Sequence, residues 1–263
     1  MLSQLENAVG KTEHVVALIF DIRGFTNFCK EEGDSVNIAT FVKRIYIKVL
    51  SEYFPNGTFY KPTGDGMLIV FRCTPGKECE TAHTVVENAV KLVKEFAKLC
   101  IDDKLVYFKT PTDIGVGISR GSACCISSKK KIIDYSGRPL NLAARLCEKA
   151  RPYGVVFDES VGTCLLKKDI AQNYLNDKVF LKGLTGKEPI RIYFTKGTVL
   201  PSSCKKPLDE PDWNTDAITI TTNELESFSV DDISIVLTKK PLDTNQILAK
   251  VNYPLGSGTG WQS

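Results

Sequence analysis

Val15-Val16-Ala17-Leu18-Ile19-Phe20-Asp21 is the stretch on which the fold turns. Its apolar run is short, rich in β-branched residues and ends on a carboxylate, which predicts a central strand buried on both faces with Asp21 at its end. Working outward, Asp34 is placed to cap a helix, and Phe41, Ile45, Val49 and Phe54 recur at helical spacing until Pro55-Asn56-Gly57 breaks it. Two short β-like runs follow at 58–61 and 67–72. Between them lies Pro62-Thr63-Gly64-Asp65-Gly66, whose Asp-Gly pair predicts a hairpin with an acid at its tip. Gly64 and Gly66 let that backbone turn tightly.

A second helix is expected over 80–100, with Val86, Ala89, Val90, Val93, Phe96 and Ala97 as its apolar stripe. A strand at 112–119, an irregular hairpin over 122–131 and a helix at 140–150, opened by Pro139, come next. Val155-Val156-Phe157, a short helix over 160–166, and strands at 179–182 and 190–194 complete the unit. The order β-α-β-β-α-β with additions predicts an α+β, ferredoxin-like fold with an extra hairpin, its antiparallel-rich sheet covered by helices on one face. This unit takes in residues 1–199. Pro201, Pro207 and Pro211 mark 200–212 as a linker, and residues 213–263 form a C-terminal β-rich extension. Within that extension Ile218-Thr219-Ile220-Thr221 and Ile233-Ser234-Ile235-Val236-Leu237 are expected strands, and Gly256-Ser257-Gly258-Thr259-Gly260 a flexible end.

Composition narrows the class of partner. With 263 residues, 43% hydrophobic and 25% charged, the chain has enough apolar material for a full core, which excludes a disordered or fibrous protein. A net charge of +3 is too small to argue for nucleic acid, and Lys129-Lys130-Lys131 has no interleaved aromatics, so it reads as a solvated hairpin. The apolar run from Val15 to Phe20 is a third of a membrane span, and residues 1–11 lack the pattern of a secretion signal. A cytoplasmic chain without membrane contact is expected. Nine cysteines with no CxxC pair suggest reduced core thiols, and His14 and His83 fit no zinc-ligand spacing.

Asp21 and Asp65 become neighbours if their strands lie side by side. Two adjacent carboxylates suit a hard cation, Mg²⁺ or Mn²⁺, held jointly with the phosphates of a nucleotide. Spacing alone favours an ordinary Asp-Gly turn beside an unrelated strand end.

Longer strings decide between the two. Phe20-Asp21-Ile22-Arg23-Gly24-Phe25-Thr26, Lys61-Pro62-Thr63-Gly64-Asp65-Gly66 and Asp134-Tyr135-Ser136-Gly137-Arg138-Pro139-Leu140-Asn141-Leu142-Ala143-Ala144-Arg145 resemble, in this order, the signatures of class III nucleotidyl cyclases, the adenylate and guanylate cyclase family. The resemblance runs on through Gly117-Ile118-Ser119-Arg120-Gly121 and Leu181-Lys182-Gly183 and covers roughly 13–196.

It implies that a nucleoside triphosphate is cyclised to a 3′,5′-cyclic nucleotide and pyrophosphate with two divalent ions, Mg²⁺ or Mn²⁺, per site. Asp21 and Asp65, with the Ile22 carbonyl, match the metal ligands. Asn141 and Arg145 match the residues that orient the ribose and meet the charge growing on the α-phosphate; four residues apart, they share one helix face. Lys61 and Asp134 match the base-reading pair. An ammonium only donates and a carboxylate only accepts, which fits the edge of adenine or cytosine and opposes that of guanine or uracil. Lys182, Phe25, Thr26 and Arg120 are the expected phosphate-binding residues. The arginine that the family tends to carry before its Val-Gly is replaced here by Gly115, leaving Arg120, Arg44 or Lys187 to supply the charge. Arg23, between motif residues, is expected to be structural or solvent-facing. In the family the metal aspartates come from one protomer and the base-reading and transition-state residues from the other, so one complete set implies a homodimer with two equivalent sites.

The resemblance favours ATP converted to cyclic AMP. A pyrimidine cyclase, cytidylate or uridylate, of the bacterial anti-phage kind keeps the reaction and changes the base. A catalytically silent, nucleotide-binding regulator is the reading of a different class, and the presence of Asp21, Asp65, Asn141 and Arg145 speaks against it. A cyclic-dinucleotide synthase would carry a Gly-Gly-acid-acid-Phe hairpin, which Gly64-Asp65-Gly66 is not.

Overall fold

The computed structural model describes residues 5–129, 131–165, 172–186 and 188–206, together with strand segments 227–230, 233–239 and 247–252. Two compact units divide the chain, Met1–Leu208 and Asp209–Ser263. The first runs β1 (Val9–Ile22), α1 (Phe25–Glu32), α2 (Ser35–Lys48), β2 (Phe59–Pro62), β3 (Gly66–Arg72), α3 (Glu78–Ile101), β4 (Ile114–Ser128), β5 (Lys131–Ser136), α4 (Arg138–Lys149), β6 (Gly154–Asp158), β7 (Tyr174–Val179) and β8 (Ile190–Thr195). This is the expected α+β arrangement.

One mixed sheet, ordered β2-β3-β1-β4-β6-β8-β7, carries β5 on the far half of β4. All pairings are antiparallel except β4 with β6. β1 is longer than its apolar run because Val9 to His14 extend it along β4, pairing Val9 with Ser127. The strand expected at 112–119 likewise continues to Ser128, and the chain reverses at Lys129 (φ 48°) into β5. β7 ends at Val179, where a strand was expected to begin: Phe180 and Leu181 are buried in a loop, and the Phe180 amide donates to the Cys204 carbonyl. The expected short helix after β6 is one turn, Glu159–Gly162.

Alternation along β1 builds two cores. Val16, Leu18, Phe20 and Ile22 face Phe41 and Ile45 of α2 and Val86, Leu92 and Phe96 of α3. Each such aliphatic or aromatic side chain contributes about 1.5–3 kcal/mol on burial. Val15 and Ala17 point the other way, onto Leu140 and Ala143 of α4. Helices therefore lie on both faces of the sheet, not one, because α4 is apolar along Leu142, Ala143, Leu146 and Cys147 and needs a cover of its own.

The Asp34 side chain accepts from the Val36 amide (2.8 Å) and caps α2. On α3 the fully buried line runs through Ala82, Val86, Ala89, Leu92 and Phe96, with Val90 and Val93 flanking it. The cysteines depart from expectation: Cys79 at the head of α3 and Cys164 after β6 form a disulfide, and a separation of 85 residues leaves no local signal of it. Cys29, Cys73, Cys100, Cys124, Cys125, Cys147 and Cys204 are free.

In the second unit β10 (Ile233–Lys239) pairs antiparallel with both β9 (Ser227–Val230) and β11 (Ile247–Asn252). The strand expected at 218–221 and the glycine-rich end lie outside the described residues. Among the described residues no helix is long and apolar enough to cross a membrane.

Candidate active site

The β1–β3 register sets Asp21 opposite Gly66, and the Ile22 amide donates to the Asp65 carbonyl at 3.1 Å. The hairpin acid and the strand-end acid are thus neighbours. Gly66 is required for this approach, since a Cβ there would lie 2.0 Å from the Phe20 carbonyl oxygen. From α2, Tyr46 Oη sits 2.6 Å from the Gly64 carbonyl and 2.7 Å from that of Gly66, clamping the tip. Nothing in the sequence singles out Tyr46, because no local pattern says where a helical tyrosine will point.

Burial, then the negative charge of Asp65, push the Asp21 carboxyl above its ordinary range, while the Arg23 guanidinium opposes them. Two carboxylates that resist sharing a site are suited to a divalent cation, which turns their repulsion into attraction. Among the described residues no group of three or more His, Cys, Asp and Glu could hold a metal alone. Asp21, Asp65 and the Ile22 carbonyl offer hard oxygen ligands, and substrate phosphates are the fitting complement for Mg²⁺ or Mn²⁺.

Arg23 is not solvent-facing. Its side chain is 8% exposed and turns inward, where Nη1 donates to Asp21 Oδ2 at 2.6 Å. Nη2 donates to the carbonyls of Cys147 (2.5 Å) and Ala150 (2.9 Å), at the end of α4. The guanidinium occupies the volume a side chain at 115 would need: a Cβ on Gly115 would lie 1.8 Å from Nη2. Gly115 stands opposite Asp21 on β4, so the position that lacks a side chain lies beside the Arg23–Asp21 pair. The signal in the sequence is Gly115 itself, readable only once the strands are paired. Against Arg23, burial drives the Cys147 thiol up to about 12, which leaves it an inert packing group.

The other candidates for that charge are placed elsewhere. Arg120 lies five residues along β4 from Gly115, about 16 Å away in a strand. It donates to the Ser160 carbonyl (2.9 Å) and meets His14 Nε2 at 3.1 Å. Arg44 Nε pairs with Asp103 (2.7 Å), as does Lys48 Nζ (3.2 Å). Lys187 lies outside the described residues.

Lys61 on β2 and Asp134 on β5, separated by 73 residues, meet: Nζ is 2.5 Å from Oδ2. Both are accessible, at 50% and 33% exposure. Asn141 and Arg145 share the outer face of α4, and Arg145 Nη1 donates to Glu148 Oε1 at 2.7 Å. Lys182 is exposed in the turn after β7. Phe25 stacks its ring on Phe41 in the core (6.4 Å), so what it offers a ligand is its amide. With Gly24 as an N-cap that makes no side-chain cap, the first amides of α1, those of Phe25 and Thr26, have no intrahelical acceptor and face an anion favourably.

A sheet flanked by helices, with two acids on adjacent strand ends, is an α+β arrangement that offers hard oxygen ligands to a divalent cation beside a phosphate. The chain matches the adenylate and guanylate cyclase catalytic domain over residues 8–197. It belongs to that family, the class III nucleotidyl cyclases, which use divalent metal ions on nucleoside triphosphates and are typically dimeric. Among curated proteins none matches the chain. Solved structures share the fold. The adenylyl cyclase CyaB from P. aeruginosa is 21% identical with TM-score 0.57, over 73% of this chain and 97% of that one. The guanylyl cyclase Cya2 is 21% identical with TM-score 0.59, over 74% and 98%. The guanylate cyclase domain of RhGC from Catenaria anguillulae, solved with GTP, is 16% identical with TM-score 0.52, over 72% and 100%. These relatives act on different bases, so the choice of base is a question for the residues of this chain.

Proposed function

We propose that this chain converts ATP to 3′,5′-cyclic AMP and pyrophosphate as a homodimer with two shared sites. The observation that carries the reading is the meeting of Lys61 and Asp134, a donor beside an acceptor on two distant strands, both open to a ligand. Adenine offers the complement, a ring nitrogen that accepts beside an amine that donates, an order that cytosine shares. Guanine has that polarity reversed and leaves both groups mismatched, at the cost of unpaired polar contacts.

The other residues divide the work. Asn141 orients the ribose so that its 3′-oxygen lies in line with the α-phosphorus, and Arg145, released from Glu148, meets the charge growing there. The amides of Phe25 and Thr26 receive phosphate oxygens at the head of α1, and Lys182 adds a point charge. Divalent ions held by Asp21, Asp65 and the Ile22 carbonyl would make the 3′-hydroxyl easier to deprotonate and neutralise the departing pyrophosphate.

The test is incubation of the purified chain with Mn²⁺ and equal amounts of ATP, GTP, CTP and UTP, with cyclic products identified by mass spectrometry. Cyclic AMP is expected, and Asp21→Ala should lower its formation about a thousandfold or more while leaving the circular dichroism spectrum unchanged. Cyclic CMP as main product overturns the ATP reading and makes pocket depth the selector, and cyclic UMP overturns the reading of the base by Lys61 and Asp134 as well. Nucleotide binding with no cyclic product points instead to a regulatory role.

A further inference from the structure

We propose that Arg23 is a positioning residue that couples the two active sites of the dimer. It holds the metal-binding carboxylate a chain gives to one site against the helix that the same chain gives to the other. The inference rests on the shared-site homodimer proposed above. Asp21 serves one site in that arrangement, Asn141 and Arg145 on α4 serve the second, and Arg23 touches both parts. One guanidinium nitrogen is on Asp21 and the other on the carbonyls of Cys147 and Ala150, in the last turn and cap of the helix that carries Arg145.

Three features mark this as more than a filler of space. A cation among the last carbonyls of a helix complements their partial negative charge, so Arg23 fixes where α4 ends. Its contacts demand a planar fork, which lysine cannot supply. And among the described residues Nε is buried with no hydrogen-bond partner, so the Nη1 and Nη2 contacts are kept at the cost of one unmade bond. The chain also keeps Gly115 where any side chain would displace the guanidinium. A shift of α4 on nucleotide binding at one site would carry Arg23 with its terminal carbonyls and change the aim of Asp21 in the other site.

Heterodimers with one live site separate this from a purely local role. One chain carries Asp65→Ala, which keeps the Arg23–Asp21 pair; the other carries Asn141→Ala with Arg145→Ala. In the mixed dimer the live site takes its aspartates from the second chain and its α4 from the first. Arg23→Lys is then added to the first chain only, whose own metal end is already dead. The expected result is a fall in kcat of about tenfold at the live site, with the KM values for Mn²⁺ and ATP unchanged. Gly115→Ala on the same chain, which keeps Arg23 and Asp21 but displaces the guanidinium, should act in the same way and covers the case in which Arg23→Lys folds poorly. In unmixed dimers, both variants should weaken Mn²⁺ binding to the nucleotide-free protein, read by titration calorimetry, by about tenfold through loss of the aim of Asp21. An unchanged kcat in both mixed dimers overturns the coupling while leaving the cyclase reading intact. No activity on mixing the two parent chains, when each wild-type dimer turns over, overturns the shared site itself and the coupling with it.

Discussion

Two ion pairs in this molecule look alike on paper and differ in use. Arg23–Asp21 and Lys61–Asp134 each join one cation to one carboxylate at 2.6 and 2.5 Å. In the first the cation is buried, and its Nη2 is held by two backbone carbonyls, which leaves it no freedom to meet a ligand. In the second both partners stay accessible, and Asp134 Oδ1 also accepts from the Tyr135 amide at 2.8 Å. A base that inserted between Lys61 and Asp134 would replace this one hydrogen bond with two. The first pair is built to hold a geometry and the second to be exchanged.

Removing one cation at a time tests that difference. Arg23→Met leaves Asp21 and the end of α4 without their donor inside the protein. It should lower stability by about 2–3 kcal/mol, less than for a fully buried pair because Asp21 is a third exposed. Lys61→Ala should cost under about 1 kcal/mol, as exposed pairs do. Denaturant midpoints compare the two directly, and equal losses would erase the distinction.

The exposed pair should show its effect in selectivity instead. Reversing it with Lys61→Asp and Asp134→Lys keeps the charge balance and inverts the polarity presented to the base. ATP should lose at least about tenfold in kcat/KM relative to GTP, with the melting temperature little changed. An unchanged ratio would mean the base is read elsewhere.

The sequence shows these two pairs unequally. Lys61 and Asp134 stand inside recognisable strings, and their donor and acceptor chemistry follows from residue type alone. Arg23 stands in such a string too, yet its partners are an acid two residues away and carbonyls more than 120 residues on, and no local pattern says which way it turns. The strand through Val15 to Phe20 is legible because burial on both faces forces a continuous apolar run. Its start at Val9 is hidden, since Lys11 to Glu13 owe their strand to pairing with β4 rather than to their own character. Helix α1 escapes the pattern because eight residues with Lys30-Glu31-Glu32 at their end give too few apolar positions for a period; Phe28 alone is fully buried in it. The disulfide between Cys79 and Cys164, and α4 on the second face, are likewise properties of tertiary contact.

The smallest effect concerns what Arg23 does not cancel. With its folded pKa above the unfolded value, Asp21 favours the fold at low pH, and that contribution is lost as pH rises through the folded value. At neutral pH without metal, the ionised Asp21 beside Asp65 therefore works against the fold despite its arginine. Asp65→Asn removes the neighbouring charge and can donate to Asp21 where a carboxylate only repels. The metal-free variant should melt about 1–2 °C above wild type at pH 7, roughly half a kcal/mol, with the gap closing as Asp21 protonates on acidification. Mn²⁺ should reverse the order, because only the wild type keeps both ligands and gains stability by binding. A metal-free variant that melts below wild type at pH 7 would mean that Arg23 already neutralises the site. The buried pair would then be a finished structural unit rather than a frame that waits for a cation.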